Sequence, residues 1–148
     1  MQKFLIVVIS LKNSLDRRKN CKSYLDKYNY DWIFFDAIDG KKIDNYPPEY
    51  NEKKVKKLLG FDMTLTEIAV RFSHLEVWKK SLALNIPILV LEDDFAFEQN
   101  IDECIDFAFK YYDSWEVLRL QALFDSNFEI LKEQKNIKLV KNLSDPLG

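Results

Sequence analysis

Glycine is scarce, with three in 148 residues. That scarcity argues against a β-barrel and against a glycine-rich phosphate loop, and no G-x-G-x-x-G or Walker pattern is present. Histidine occurs once, as His74, and cysteine twice, as Cys21 and Cys104. Neither cysteine sits in a metal-type spacing, so a Cys/His metal site is disfavoured and the pair suits a reducing compartment. No sign of charge dominates: 22 basic residues against 24 acidic ones give −2. Such a balance exerts no global pull toward nucleic acid. Long apolar runs are missing too. The stretch from Phe4 to Ile9 is too short for a signal peptide and no small-residue cleavage site follows it. Nothing approaches the ~20 apolar residues of a membrane span. The expectation is a cytoplasmic chain with no nucleic-acid partner.

What is present describes a globular chain: 47% hydrophobic and 14% aromatic residues. A chain of this length can bury a core without disulfides, so one domain over residues 1–148 is expected. Its organising stretch is Ile86-Pro87-Ile88-Leu89-Val90-Leu91-Glu92-Asp93-Asp94-Phe95-Ala96-Phe97. A short continuous apolar run fits a strand buried on both faces of a parallel sheet. Three adjacent carboxylates at its end repel one another unless something positive sits among them. Ligands of open α/β sheets bind at the carboxyl ends of strands. The run therefore reads either as a solvated acidic turn or as a site for Mg²⁺ or Mn²⁺ shared with a substrate phosphate.

Phe4 to Ile9 predicts a buried first strand. Ser14 is an N-cap candidate for a helix through Tyr28. Arg17 and Arg18 fall in its first turn, where the helix dipole disfavours cations unless an anion is bound. Trp32 to Phe35 predicts a second strand, leading into Asp36-Ala37-Ile38-Asp39-Gly40. Asp39 could accept from a ribose or simply serve a turn. Residues 41–60 look like a polar surface excursion with a short helix. Its lysines 53, 54, 56 and 57 are a solvated face or a contact for an anionic substrate or membrane.

Thr64-Leu65-Thr66-Glu67 fits a capping box opening a helix to Leu84, with Leu65, Ile68, Phe72, Leu75 and Leu82 as its apolar stripe. Glu67, Arg71, His74 and Trp78 recur beside that stripe, and His74 is either a packed residue or a substrate contact. Ile101 to Tyr112 predicts an amphipathic helix, with Cys104 packed beside its stripe. Val117 to Phe124 predicts a strand, and 128–131 with 137–140 a closing hairpin.

Several segments in register resemble one family. They are Val8-Ile9-Ser10-Leu11 followed by Asp16-Arg17-Arg18, then Phe35-Asp36-Ala37-Ile38-Asp39-Gly40. Next come Leu65-Thr66-Glu67-Ile68-Ala69 with Ser73-His74 and Trp78, running on to Leu91-Glu92-Asp93-Asp94. Arg119-Leu120 with Phe124 resembles the following strand. Together they resemble family 25 of the glycosyltransferases, the lipooligosaccharide and lipopolysaccharide galactosyltransferase group. The resemblance implies a Rossmann-like GT-A fold with a mostly parallel sheet, and a UDP-sugar donor, UDP-galactose before UDP-glucose. It also implies Mn²⁺ or Mg²⁺ as cofactor and inverting transfer of a hexose to a saccharide acceptor on lipooligosaccharide.

Carried over, Glu92-Asp93-Asp94 is the D-x-D-type motif. Asp94 and Glu92 go to the metal, with Glu92 alternatively on the ribose, and Asp93 faces the sugar or supports the site. Ser10, Arg17 and Arg18 meet the nucleotide and its phosphates. Asp39 and Gly40 line the base and ribose pocket, and Ser73 and His74 lie under it. The resemblance also implies a C-terminally truncated member whose catalytic base lies outside this chain. Contact with the inner membrane and homo-oligomerisation are further expectations. Two rivals stand beside this assignment: a non-catalytic nucleotide-binding or oligomerising remnant, and a metal-dependent phosphohydrolase. The second would want a nucleophilic aspartate after the first strand, and 10–13 offer none.

Overall fold

The computed structural model describes residues 4–120 and 127–143. The described residues gather into two compact units, a first ending at Phe95 and a second beginning at Ala96. The first unit is built on three parallel strands in the order β2-β1-β3: β1 (Leu5–Ser10), β2 (Trp32–Asp36) and β3 (Ile88–Glu92). The continuous β-branched run of β1 takes the middle place, where both faces are covered, and Ile6, Val7 and Val8 have no exposure. Side chains alternate across a strand. Val7 and Ile9 meet Val77, with Leu5, Phe35, Ala37, Ile88 and Val90 packed around them.

β3 is only half-buried, not covered on both faces as its apolar run suggests. Among the described residues it pairs with β1 alone, and an edge strand leaves part of its surface in water. The register aligns Ser10 with Asp36 and Ile9 with Glu92. The carboxyl ends of all three strands therefore finish at one end of the sheet.

Helix α1 (Leu15–Leu25) follows β1 and buries Cys21 and Leu25. Ser14 holds the N-cap position but makes no side-chain capping bond. The helix stops short of Tyr28: Lys27 and Tyr28 donate to the carbonyls of Tyr24 and Leu25, a tightening that ends the α-ladder. After β2 come a 3₁₀ turn at Gly40–Lys42 and a short helix, α2 (Glu52–Leu59). Then α3 (Leu65–Leu84) opens with the complete capping box: Thr64 Oγ1 accepts from Glu67 N, and the Glu67 carboxylate accepts from Thr64 N at 2.7 Å.

The buried line of α3 is Ile68, Ala69, Ser73 and Val77. This corrects the expected stripe, since Leu75 and Leu82 are exposed. Small residues win the inner face because the chain comes very close there. A side chain on Gly40 would put its Cβ 2.5 Å from Thr66 Cα, and Ser73 Oγ accepts from Ile38 N at 2.9 Å.

The second unit holds α4 (Ile101–Lys110), a 3₁₀ turn at Tyr112–Ser114, and the antiparallel hairpin β4 (Phe128–Gln134) and β5 (Ile137–Asn142). The α4 side chains Ile105, Phe107 and Ala108 are buried. The hairpin appears where expected but extends further at both strands, with Lys135 at φ 53 in its turn. The predicted strand over 117–124 is not found in its described part. Residues 117–120 are irregular, with Val117 exposed, and 121–124 lie outside the described residues. Among the described residues no helix is long and apolar enough to cross a membrane.

Candidate functional site

Strand order 2-1-3 sets β3 on the side of β1 away from β2, so the crossover order changes at the β1/β3 boundary, the kind of switch point where α/β sheets bind ligands at strand carboxyl ends. Asp93 occupies this point. Its Oδ2 accepts from Ser10 Oγ at 2.7 Å and its Oδ1 from Arg17 Nη1 at 2.8 Å. Its backbone carbonyl accepts from the Cys21 thiol at 3.3 Å. Ser10 is buried, and a hydroxyl bonded to a carboxylate in such a place contributes about 1.5–3 kcal/mol. Arg17 is largely exposed, so its ion pair is screened by water and serves orientation more than stability. Burial pushes the Cys21 thiol pKa up, and the neighbouring Asp93 charge adds to it. That thiol behaves as a small packed hydrophobe.

Each of the three acids has a separate fate. Glu92 accepts from, or is paired with, His74 Nε2 at 3.2 Å, the direction depending on the imidazole tautomer. Asp93 turns inward to Ser10 and Arg17. Asp94 is exposed. The side chains that meet the acids are thus Arg17 from α1, on Asp93, and His74 from α3, on Glu92. Phe95 N donates to Glu92 O at 3.2 Å, which closes the acidic segment into a turn.

Arg18 sits on the other side of β1. Its Nη2 donates to Ser10 O at 2.8 Å and to Asp36 Oδ1 at 2.5 Å, and its Nε donates to Leu11 O at 3.2 Å. The guanidinium also lies over the Phe34 ring, 4.8 Å from its centroid. The anions anticipated beside the two arginines are therefore carboxylates of the protein itself. Arg18 ties the end of β1 to the end of β2, whereas Arg17 reaches from the exposed start of α1 to β3.

Beside these ends lies a cavity of about 220 Å³, lined by Leu11, Lys12, Asn13, Ala37, Asp39 and Lys42. Asp39 caps the 3₁₀ turn by accepting from Lys41 N at 3.1 Å, and Lys42 Nζ stands 3.8 Å from its other oxygen. Gly40 is buried against α3, and its lack of a side chain is accounted for by that approach. Ser73 has no exposure, and its hydroxyl is used twice, accepting from Ile38 N and donating to Ala69 O. It supports the cavity wall from behind without reaching the opening.

The structure thus gathers Ser10, Arg17, Glu92, Asp93 and His74 at the β1/β3 ends, and Asp39 at the cavity. Lys12, Asn13 and Lys42 are lining residues that sequence reasoning missed. Their only signal was position immediately after a strand end or turn. Among the described residues no three His, Cys, Asp or Glu side chains are grouped so as to hold a metal by themselves.

Comparison with known proteins places these residues in context. The family model described as glycosyltransferase family 25 (LPS biosynthesis protein) matches residues 2–146. The lipooligosaccharide biosynthesis protein lic2B of Haemophilus influenzae is 29% identical over 153 aligned positions, covering 95% of this chain and 55% of that protein. A glycosyltransferase 25 family member of Aedes aegypti is 34% identical over 101 residues, 63% of this chain and 16% of that protein. Procollagen galactosyltransferase 1-B of Xenopus laevis is 31% identical over a stretch of the same length, again 16% of its own chain. The chain spans about half, or less, of the length of these relatives. With the family model matched across nearly its whole length, this chain belongs to glycosyltransferase family 25.

Proposed function

We propose that this chain is the donor-binding portion of a GT-A-type glycosyltransferase. In this proposal it takes a UDP-hexose, UDP-galactose first, and serves inverting transfer to a saccharide acceptor of lipooligosaccharide. The observation that carries the proposal is the acidic turn at the β1/β3 switch point, whose middle carboxylate is locked to Ser10 and Arg17. The names of two relatives, a lipooligosaccharide biosynthesis protein and a procollagen galactosyltransferase, favour a sugar donor and a saccharide acceptor. Contact with a membrane surface and self-association belong to the same proposal.

The donor set fits a hard divalent cation, Mn²⁺ or Mg²⁺, in one specific sense. Glu92 and Asp94 offer two exposed carboxylates, and an ion that takes its other ligands from water and a diphosphate needs no more from the protein. When bound, such an ion offsets the negative charge that builds on a departing nucleoside diphosphate. The chain's own residues do the rest. Asp93 fixes the turn after β1 so that the start of α1 faces the diphosphate. Arg17, exposed at that start, exchanges Asp93 for a phosphate oxygen. Asp39, Lys12, Asn13 and Lys42 hold the nucleoside in the adjoining cavity. His74 orients Glu92.

Calorimetric titration with UDP tests this directly. UDP binds more tightly with Mn²⁺ than without it, and Asp94→Ala removes the metal-dependent increment while leaving the melting temperature unchanged. Metal-independent binding that survives Asp94→Ala would instead favour a nucleotide-binding remnant.

A further inference from the structure

The excursion between β2 and α3 carries a surface that the donor site does not use. Helix α2 holds lysines 53, 54, 56 and 57. Lys56 is occupied at home, bonding Glu52 at 2.6 Å and Asp62 at 2.7 Å. Lys53, Lys54 and Lys57 are exposed, and none is in an ion pair among the described residues. Four lysines against Glu52 and Asp62 leave two positive charges over residues 51–62, in a chain whose total is −2.

Two large apolar side chains stand within this basic group. Leu58 is 68% exposed and Phe61 58% exposed. Val55 and Leu59, half-buried, anchor the other side of the helix. At about 3.6 residues per turn, Leu58 lies one turn beyond Lys54 and beside Lys57, on the outward face. The face is held firmly. Asn51 Oδ1 accepts from Lys54 N at 2.9 Å, and Gly60 closes the helix at φ 83. At its base, Tyr50 Oη accepts from Met63 N at 3.1 Å and Tyr46 Oη donates to Met63 O at 3.2 Å.

We propose that α2 and the turn after it dock this protein on an anionic lipid bilayer. Lys53, Lys54 and Lys57 meet the headgroup phosphates, and Leu58 and Phe61 enter the interface between them. Charge complementarity selects an anionic surface, since each lysine near such a leaflet adds to binding. The interleaved apolar pair selects a lipid over a nucleic acid, because headgroups give way to acyl chains at the depth these side chains reach. The surface assigns the membrane contact included in the proposed function, on which it rests, to residues outside the donor site, so vesicle binding and UDP binding can fail separately.

Cosedimentation with vesicles tests it on the intact chain without any nucleotide. Vesicles of phosphatidylcholine mixed with phosphatidylglycerol retain the protein, phosphatidylcholine alone does not, and added salt releases it. Replacing the three lysines together (K53Q/K54Q/K57Q) weakens binding on the order of a hundredfold. L58S/F61S weakens it too while keeping the salt response. The hairpin control K138Q/K141Q binds as the parent does, and far-UV circular dichroism confirms that all variants fold. Equal loss in the hairpin control, undiminished binding of the triple variant, retention on neutral vesicles, or preference for a short DNA duplex over the anionic vesicles would each overturn the proposal.

Discussion

Strands β1 and β4 are both paired along their backbones, β1 in parallel and β4 antiparallel, and their surroundings are opposite. In β1, Ile6, Val7 and Val8 have no exposure, and a strand lies on either side. In β4 every residue is exposed, although Phe128, Ile130 and Leu131 are as apolar as anything in the sheet. Pairing satisfies backbone donors and acceptors in both. Only burial converts an apolar side chain into stability, at roughly 25 cal/mol per Å² removed from water. The first unit is therefore organised from its central strand outward. The hairpin gains most from Leu139 of β5, its one buried residue among those described.

The sharpest way to break this contrast is a matched truncation. Ile6→Ala is expected to cost about 2–5 kcal/mol in urea denaturation, the range for emptying a packed site. Ile130→Ala should stay within about 0.5 kcal/mol, as exposed positions do. Comparable losses at both would mean that the hairpin is covered in solution.

A smaller effect separates two glycines. Gly40→Ala puts a Cβ against the Thr66 backbone, and overpacking of this kind costs about 1–3 kcal/mol. Gly60→Ala meets nothing within 4 Å but must adopt φ 83, for which the left-handed penalty is about 1–2 kcal/mol. Thermal unfolding of the two variants ranks crowding against backbone strain. The diagnostic is His74 and Ser73 chemistry on α3, which only the Gly40 change should disturb.

The smallest effect is electrostatic. The Glu67 carboxyl is held below its ordinary pKa by the Thr64 backbone N–H and then by the Thr64 hydroxyl. A carboxyl whose folded value is lowered contributes stability that is present above its unfolded value and lost as pH falls through the folded one. The parent should therefore lose stability on acidification through that window more steeply than Glu67→Gln. Parallel acid slopes would show that the capping box carries no linked proton.

Much of the first unit was legible in the residues. The β-branched run of β1, the capping box at Thr64 and Glu67, and the apolar run ending in Glu92-Asp93-Asp94 each state their element through local chemistry. The inner face of α3 was not legible. Two stripes overlap at helical spacing, and the choice of Ala69 and Ser73 over Leu75 and Leu82 depends on how closely Gly40 approaches. The segment at 117–120 misled for the opposite reason. Its apolar residues favour a strand, yet propensity yields to tertiary context when, among the described residues, no partner strand pairs with them.

The sequence alone determined that three carboxylates would stand together at the end of an apolar strand, where like charges cost free energy unless something positive lies among them. Its motifs also carried the resemblance to the family that the family model matches over residues 2–146. Only the tertiary structure decided which cation meets which acid. Parallel pairing in register brings Ser10 and the first turn of α1 to Asp93, and Asp36 to Arg18, across gaps in sequence that no local pattern encodes.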